Sequence, residues 1–328
     1  MRGFKIGFLV IGAALLGVIV WQTDLAELAR LIIQVGWGIG LLLALYFAAF
    51  LVDTVTWHLT LPSLPQSALW LYRLFLARLA GEAFNNATPG ASLGGEPVKA
   101  VLLKKCYGVD YGEGIASLIL AKTINVIALV LFLALGLVFI LRSDVLPGGY
   151  KLAAVIGLGA FGLGVLGFFA VQRFRVASWT GQWLARGALF RGLAKAMDQI
   201  RRMDERLVTF YTAHGKRFAW ALGLAWLNWA IGVVEIYYTM IFLGHPLTLA
   251  EAWILETAAQ LVRAGSFFIP ASIGVQEGAF LLVGAAITGS PTLGLAAGIV
   301  RRVREILWIA WGFAVFWLLK PQPEAKEG

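Results

Sequence analysis

The sequence predicts an all-α polytopic membrane protein with about six full spans and two re-entrant helical hairpins in an inverted repeat. Hydrophobic residues make up 60% of the 328-residue chain and charged residues only 14%, whereas soluble chains carry about 25% charged residues. Apolar runs of about 20 residues, the length that crosses a bilayer, recur along the chain. Two runs are broken by Pro and Gly beside charged residues, which predicts irregular backbone enclosed by protein.

Six apolar segments are candidates for full spans. The first, 4–21, follows Arg2 and Lys5 and has no convincing small-residue cleavage site, so we expect it to be retained. The other five candidates are 36–58, 113–141, 151–171, 218–243 and 293–319. We expect a single transmembrane domain over 1–328, with a first half at about 36–172 and a second half at about 218–319.

The first broken segment lies between a helix-like run at 67–85 and an amphipathic helix at 97–107. Within the run, Arg78 and Glu82 stand four positions apart, a spacing at which two side chains can meet on one helix face. Glu96 opens the second helix. The proposed turn residues are Pro89, Gly90, Gly94 and Gly95. We predict that the two helices enter the membrane and return to the same side.

The second broken segment, 269–278, repeats the first. The run before it also carries charges inside apolar sequence. Pro270 precedes Glu277 by seven positions, as Pro89 precedes Glu96. The proposed turn residues here are Pro270, Gly274 and Gly278. The shared pattern predicts that each half is built around one broken segment.

Polar residues downstream of the two breaks are spaced alike. Lys122 lies 26 positions after the glutamate of the first break, and Arg302 lies 25 positions after that of the second. Asn125 and Glu305 follow three positions later in their halves. The matched spacing predicts two related halves that face each other.

The charge of the loops predicts the orientation. The segment 173–217 carries ten Lys and Arg against three acidic residues, so we expect it to lie as an amphipathic loop on the cytoplasmic surface, among anionic lipid headgroups. Both termini are predicted to be cytoplasmic, in a bacterial-type inner membrane. The hairpins then enter from opposite faces, the arrangement of transporters whose substrate site lies between inverted repeats.

Both broken segments resemble a known family. Residues 86–100 read NATPGASLGGEPVKA and residues 269–278 read IPASIGVQEG, and both look like the flippase-like membrane domain of lysylphosphatidylglycerol synthases. The resemblance covers nearly the whole chain. Ala91-Ser92 and Ala271-Ser272 stand where that family typically has more glycine, which suggests a side branch.

The resemblance implies lipid translocation. The bifunctional synthases carry a soluble aminoacyl-transfer domain after the membrane part, whereas only nine residues follow the last predicted span here, so we expect no such domain. Stand-alone relatives include one associated with hopanoid biosynthesis and export. The expected function is movement of a phospholipid or hopanoid across or out of the cytoplasmic membrane, with no cofactor.

Ionisable residues at the breaks and in the neighbouring spans are the candidate substrate-binding residues, because such groups inside a membrane are functional sites by default. The candidates are Glu96, Glu277, Lys99, Lys122, Asn125, Arg302, Glu305, Arg78, Glu82 and Arg263. Each has a structural alternative. Glu96 and Glu277 stand where an acid caps a helix start, and the other charges can form internal ion pairs. Asp53 and Glu235, lone acids in spans, are expected to make polar contacts between helices.

Other classes of function stay open. A membrane-embedded lipid-modifying enzyme, or an accessory protein of lipid biosynthesis, would use the same carboxylates, although no HExxH motif occurs. An ion-coupled transporter of small solutes would use the same cavity. One Cys and three dispersed His predict no metal site. The net charge of +9 is assigned to loops at an anionic leaflet, and no nucleic-acid partner is expected.

Overall fold

The computed structural model describes residues 25–87, 94–173, 213–266, 269 and 272–319. Within these residues the fold is all-helical, which confirms the predicted class. The helices are α1 Leu25–Val35, α2 Gly38–Leu59, α3 Ala68–Ala87, α4 Glu96–Tyr107, α5 Tyr111–Arg142, α6 Gly148–Arg173, α7 Gly215–Phe242, α8 Leu249–Gly265, α9 Val275–Thr288 and α10 Pro291–Leu318.

Four helices, α2, α5, α6 and α7, are long and apolar enough to cross a membrane. They correspond to four of the six predicted spans. The predicted span 4–21 and most of the basic loop 173–217 lie outside the described residues. The last predicted span forms α10, which has 28 residues and sufficient length but carries four charged residues in its middle. Three of those four are buried against the bundle, so its charges face protein.

The second helix of each hairpin is too short to be a full span. Helix α4 has 12 residues and α9 has 14, which at about 1.5 Å per residue gives about 18 Å and 21 Å. The hydrocarbon core is about 30 Å thick. The hairpin tips, including Pro89, Gly90 and Pro270, lie outside the described residues. The lengths favour the predicted re-entrant arrangement.

Helix caps recur at similar positions in the two halves. Helix α4 ends at Gly108 and α9 ends at Gly289, and both glycines take the left-handed conformation, with φ of 73° and 74°. The next helices then begin with side-chain N-caps, Asp110 for α5 and Ser290 for α10. Glycine is favoured at such C-caps because it has no Cβ. The two halves therefore share their local structure as well as their motifs.

The two halves interlock through their hairpins. Helix α3 packs on α10 of the other half, α8 packs on α5, and α2 packs on α7. A Cβ on Gly312 would lie 2.5 Å from the Leu79 carbonyl oxygen, and one on Gly136 would lie 1.9 Å from the Thr257 hydroxyl. Only glycine allows these approaches. If the basic loop lies at one membrane surface, α2, α5 and α6 each cross the membrane once between the start of α2 and that loop. The start of α7 then lies at the opposite surface from the start of α2, as an inverted repeat requires.

Ser272 stands where the family that this chain resembles typically has glycine. The structure explains part of this difference. The φ of Ser272 is 49°, in the left-handed region that favours glycine. The Ser266 hydroxyl donates a hydrogen bond to the Ser272 hydroxyl at 3.0 Å, and Ser272 is buried. The serine thus holds a glycine-type turn with an added polar contact.

Gly95 is the closest contact inside the first hairpin and gives a prediction about stability. A Cβ on Gly95 would lie 1.8 Å from the Gly81 carbonyl oxygen, a backbone atom that cannot swing aside. We expect Gly95→Ala to lower the free energy of unfolding by about 2–3 kcal/mol, in the range of overpacked cores. Thermal unfolding in detergent measures the change.

The control is Gly223→Ala on α7, whose Cβ would meet no atom within 4 Å. It should raise stability by up to about 1 kcal/mol, because alanine is the better helix former. Equal stability of the Gly95 and Gly223 variants would contradict the close approach of α3 and α4.

Candidate functional site

A cavity of about 620 Å³, with charged and apolar residues in its lining, lies between the two halves of the bundle. Ligand pockets commonly have about 300–1,000 Å³. The outward faces of α5, α6 and α10 expose large apolar residues, so the charge of the bundle is concentrated inside it. The charged residues that line the cavity are Asp53, Arg78, Glu82, Glu96, Lys99, Lys122, Glu235, Glu256, Arg263, Arg301 and Arg304.

The first hairpin places a cluster of carboxylates and an amine on the cavity wall. Lys99 Nζ lies 2.9 Å from a Glu96 carboxylate oxygen and 3.8 Å from a Glu82 carboxylate oxygen. The Lys99 stem passes over Gly81, where a Cβ would lie 2.3 Å from Lys99 Cγ. The close approach of α3 and α4 therefore seats the lysine between the two acids.

Asn85 holds this cluster in place. Its side-chain oxygen accepts a hydrogen bond from the Gly95 N–H at 2.7 Å. Its amide nitrogen donates to Glu82 at 3.1 Å and to Glu96 at 3.3 Å. Because Asn85 satisfies the Gly95 N–H, the Glu96 carboxylate is available to the cavity.

Helices α2 and α5 extend the polar wall of the first half. Asp53 forms an ion pair with Arg78 of α3 and accepts a hydrogen bond from Asn125 Nδ2 at 2.9 Å. Lys122 lies about one helical turn before Asn125 and interacts electrostatically with the two carboxylates of the first hairpin. These contacts bring together the six charged residues of the first half that line the cavity.

Buried Arg–Glu pairs form the wall of the second half. Arg301 donates to Glu256 at 2.5 Å, and Arg304 pairs with Glu235. Gln260 donates to the other Glu256 oxygen at 2.6 Å. All five side chains belong to residues less than a tenth exposed. The pairs tie α8 and α7 to α10.

A further ionic cluster lies behind this second-half wall. Glu277 accepts a hydrogen bond from the Gly274 N–H at 2.8 Å and pairs with Arg302 at 2.6 Å. Arg302 also contacts Glu305 at 2.8 Å. Arg263, on the cavity wall, reaches Glu305 at 3.7 Å. Glu277 thus caps α9, as the structural alternative for this residue predicts.

Most of the predicted candidates meet in one place. Seven line the cavity, namely Glu96, Lys99, Lys122, Asn125, Arg78, Glu82 and Arg263. Glu277, Arg302 and Glu305 are not lining residues and lie in the cluster behind the wall. Arg78 and Glu82, whose spacing allows them to share a helix face, form no ion pair with each other, and Arg78 pairs with Asp53 on the neighbouring helix.

Five charged lining residues are outside the ten predicted candidates. They are Asp53, Glu235, Glu256, Arg301 and Arg304. The expectation that Asp53 and Glu235 bridge helices is confirmed, and their partners are arginines. Repeat spacing is the signal that could have placed these two acids in the site. Glu235 lies 182 positions after Asp53, and Glu277 lies 181 positions after Glu96.

The family follows from comparison with known sequences. Residues 5–312 match the lysylphosphatidylglycerol synthase TM region. The chain belongs to this family. Membership confirms the resemblance carried by the two broken segments, and the chain is a multi-pass integral membrane protein of the lysylphosphatidylglycerol synthase TM family.

Similar members of other organisms are described only as membrane proteins. A UPF0104 membrane protein of Pyrococcus horikoshii is 23% identical over 84% of this chain and 86% of its own length. Two UPF0104 membrane proteins of Methanothermobacter thermautotrophicus are 26% and 24% identical, over 77% and 70% of this chain and 75% and 70% of theirs. No solved structure matches the chain.

Proposed function

We propose that this protein moves a lipid or lipid-like molecule, such as a phospholipid or a hopanoid, across or out of the cytoplasmic membrane. The observation that supports it is a cavity lined by charged residues in an otherwise apolar helical bundle, between two halves of repeated structure. Such a cavity offers a polar path through hydrocarbon for a headgroup. Family membership favours a lipid-related role over the transport of small solutes.

The ion pairs suggest how the halves could move. Nine ion pairs join described residues, and each joins two residues of the same half. Movement of one half against the other would therefore break none of these pairs. The headgroup would occupy the cavity while the acyl chains stay in the bilayer, and a rocking motion would expose the cavity to each leaflet in turn.

Transport in this proposal is not enzymatic, and the lipid leaves the protein chemically unchanged. The polar groups of the cavity replace the water that a headgroup loses, which lowers the cost of desolvation. We place the protein in the inner membrane with cytoplasmic termini, as the basic loop predicts. Accumulation of a modified lipid in the assay below would favour a lipid-modifying enzyme.

The proposal is tested in liposomes by blocking the cavity. Purified protein is reconstituted with lipids labelled on an acyl chain, and leaflet exchange is followed by chemical quenching of the outer leaflet. Val126 of α5 lines the cavity, so Val126→Trp narrows it. We expect exchange at least tenfold slower than in the wild type.

A residue on the same helix provides the matched control. Leu131 is 49% exposed on the outer surface of the bundle, so Leu131→Trp adds the same side chain on a lipid-facing surface and should leave exchange within about twofold of the wild type. Wild-type protein that moves no labelled phospholipid and no labelled triterpenoid would overturn the proposal. Equal slowing in both variants would show that the effect of Val126→Trp on transport does not come from the cavity.

A further inference from the structure

We propose that the transported headgroup is a zwitterion with a phosphate and a primary ammonium group, bound by the first half of the cavity. This inference rests on the proposed lipid transport. It is carried by the balance of charge in the site and by the difference in exposure between its two walls.

The charges of the site cancel within each half. The set comprises the charged lining residues and the residue paired directly with two of them, Glu305. In the first half, the acids Asp53, Glu82 and Glu96 stand with the bases Arg78, Lys99 and Lys122. In the second half, the acids Glu235, Glu256 and Glu305 stand with the bases Arg263, Arg301 and Arg304. Described residues of the site therefore sum to zero charge.

A neutral site in hydrocarbon selects against a headgroup with net charge. An anionic headgroup would bring one charge without a partner, and an uncompensated buried charge is costly. A zwitterion brings both signs, so each of its groups can take an existing partner. Every ion then keeps a counter-charge while the headgroup is inside.

The first-half wall is the part that can exchange partners. The Glu82 and Glu96 side chains are 21% and 19% exposed, and both share the single amine of Lys99. In the second half, by contrast, the Glu235 and Glu256 side chains are 6% and 2% exposed, each paired with its own arginine. A carboxylate that shares a lysine and faces the cavity can accept an ammonium group without leaving an arginine unpaired.

The roles of the groups follow from their chemistry. A headgroup ammonium would donate to Glu82 and Glu96, and the phosphate would accept from the amines of Lys99 and Lys122. The Lys99 amine lies 3.8 Å from Glu82 and 2.9 Å from Glu96, so the two signs lie close enough for one small headgroup. Lys122 lines the same cavity. No covalent bond changes in this exchange.

The test compares headgroups in the liposome assay. Acyl-labelled phosphatidylethanolamine is the zwitterionic probe and acyl-labelled phosphatidylglycerol is the anionic probe. We expect the wild type to move the zwitterion at least tenfold faster. Movement of both probes at equal rates, or faster movement of the anion, would overturn this inference while leaving lipid transport intact. Movement of neither probe would overturn it together with transport of phospholipids.

Phosphatidylethanolamine and phosphatidylglycerol differ in size as well as in charge. Variants that change the charge of the site are compared on the same two probes, so a shift in preference reports charge alone. Glu82→Gln adds one net positive charge and should shift the preference towards the anion by at least tenfold. Lys122→Gln removes one positive charge and should reduce movement of the anion further. A preference that is unchanged in both folded variants would overturn the inference, and Glu96→Gln repeats the first change if Glu82→Gln does not fold.

Discussion

The Arg301→Met variant is expected to lose about 3–5 kcal/mol of stability, because it leaves a buried carboxylate without its counter-charge. Arg301 is 5% exposed and its partner Glu256 is 1% exposed, so each charge relies on the other rather than on solvent. The pair joins α10 to α8 over 2.5 Å. Thermal unfolding in detergent, followed by tryptophan fluorescence, measures the loss.

A double variant separates the effect of charge from that of packing. Arg301→Met with Glu256→Gln removes both charges, and the new amide oxygen can still accept the hydrogen bond that Gln260 donates at 2.6 Å. Neutral groups of similar size are often as stable as a buried ion pair, so most of the loss should be recovered.

The control for a single Met substitution is Lys216→Met, at the exposed start of α7. Its stability should stay within about 0.5 kcal/mol of the wild type. A double variant as unstable as Arg301→Met would show that the loss comes from packing of the arginine rather than from the buried charge.

The helices and the repeat could be predicted because the signals that set them are local. Helix α4 was expected at 97–107 and is observed at Glu96–Tyr107. The Pro and Gly residues around it mark its start, and Gly108 ends it in the left-handed conformation. Such signals act within a few residues along the chain, and a single sequence contains all of them.

Six of the nine ion pairs could not be predicted because their partners lie on different helices. Arg78 and Glu82 have the right spacing for a contact on one helix face, yet Arg78 pairs with Asp53, which lies 25 positions earlier. This pairing depends on the packing of α3 on α2. Sequence spacing indicates which side chains lie on the same face of a helix. It does not indicate which neighbouring helix that face contacts.

The predicted equivalence of Glu96 and Glu277 fails for the same reason. The first half has Asn85, which satisfies the Gly95 N–H. At the corresponding position the second half has Ser266, whose hydroxyl bonds Ser272 instead. Glu277 instead bonds the Gly274 N–H ahead of its own helix. The motif carboxylate therefore lines the cavity in the first half and caps a helix in the second.

This difference predicts opposite phenotypes for the same substitution in the two motifs. Glu96→Gln should keep stability within about 1 kcal/mol, because the carboxylate is 19% exposed and Lys99 retains Glu82. It should slow movement of phosphatidylethanolamine at least tenfold, since a hydrogen bond to a charged group contributes about 1.5–3 kcal/mol. Unfolding in detergent and leaflet exchange in liposomes measure the two effects separately.

Glu277→Gln should show the reverse. Its carboxylate is 2% exposed and pairs with Arg302, so its neutralisation leaves the cluster behind the wall with one excess positive charge. We expect a loss of about 2–3 kcal/mol in stability, with exchange per folded molecule within about twofold of the wild type. Because both variants replace glutamate by glutamine at the same motif position, a general effect of the substitution would act on both alike. If Glu96→Gln and Glu277→Gln both fold and slow exchange equally, Glu277 contributes to binding as Glu96 does. The proposed difference between the two halves would then be wrong.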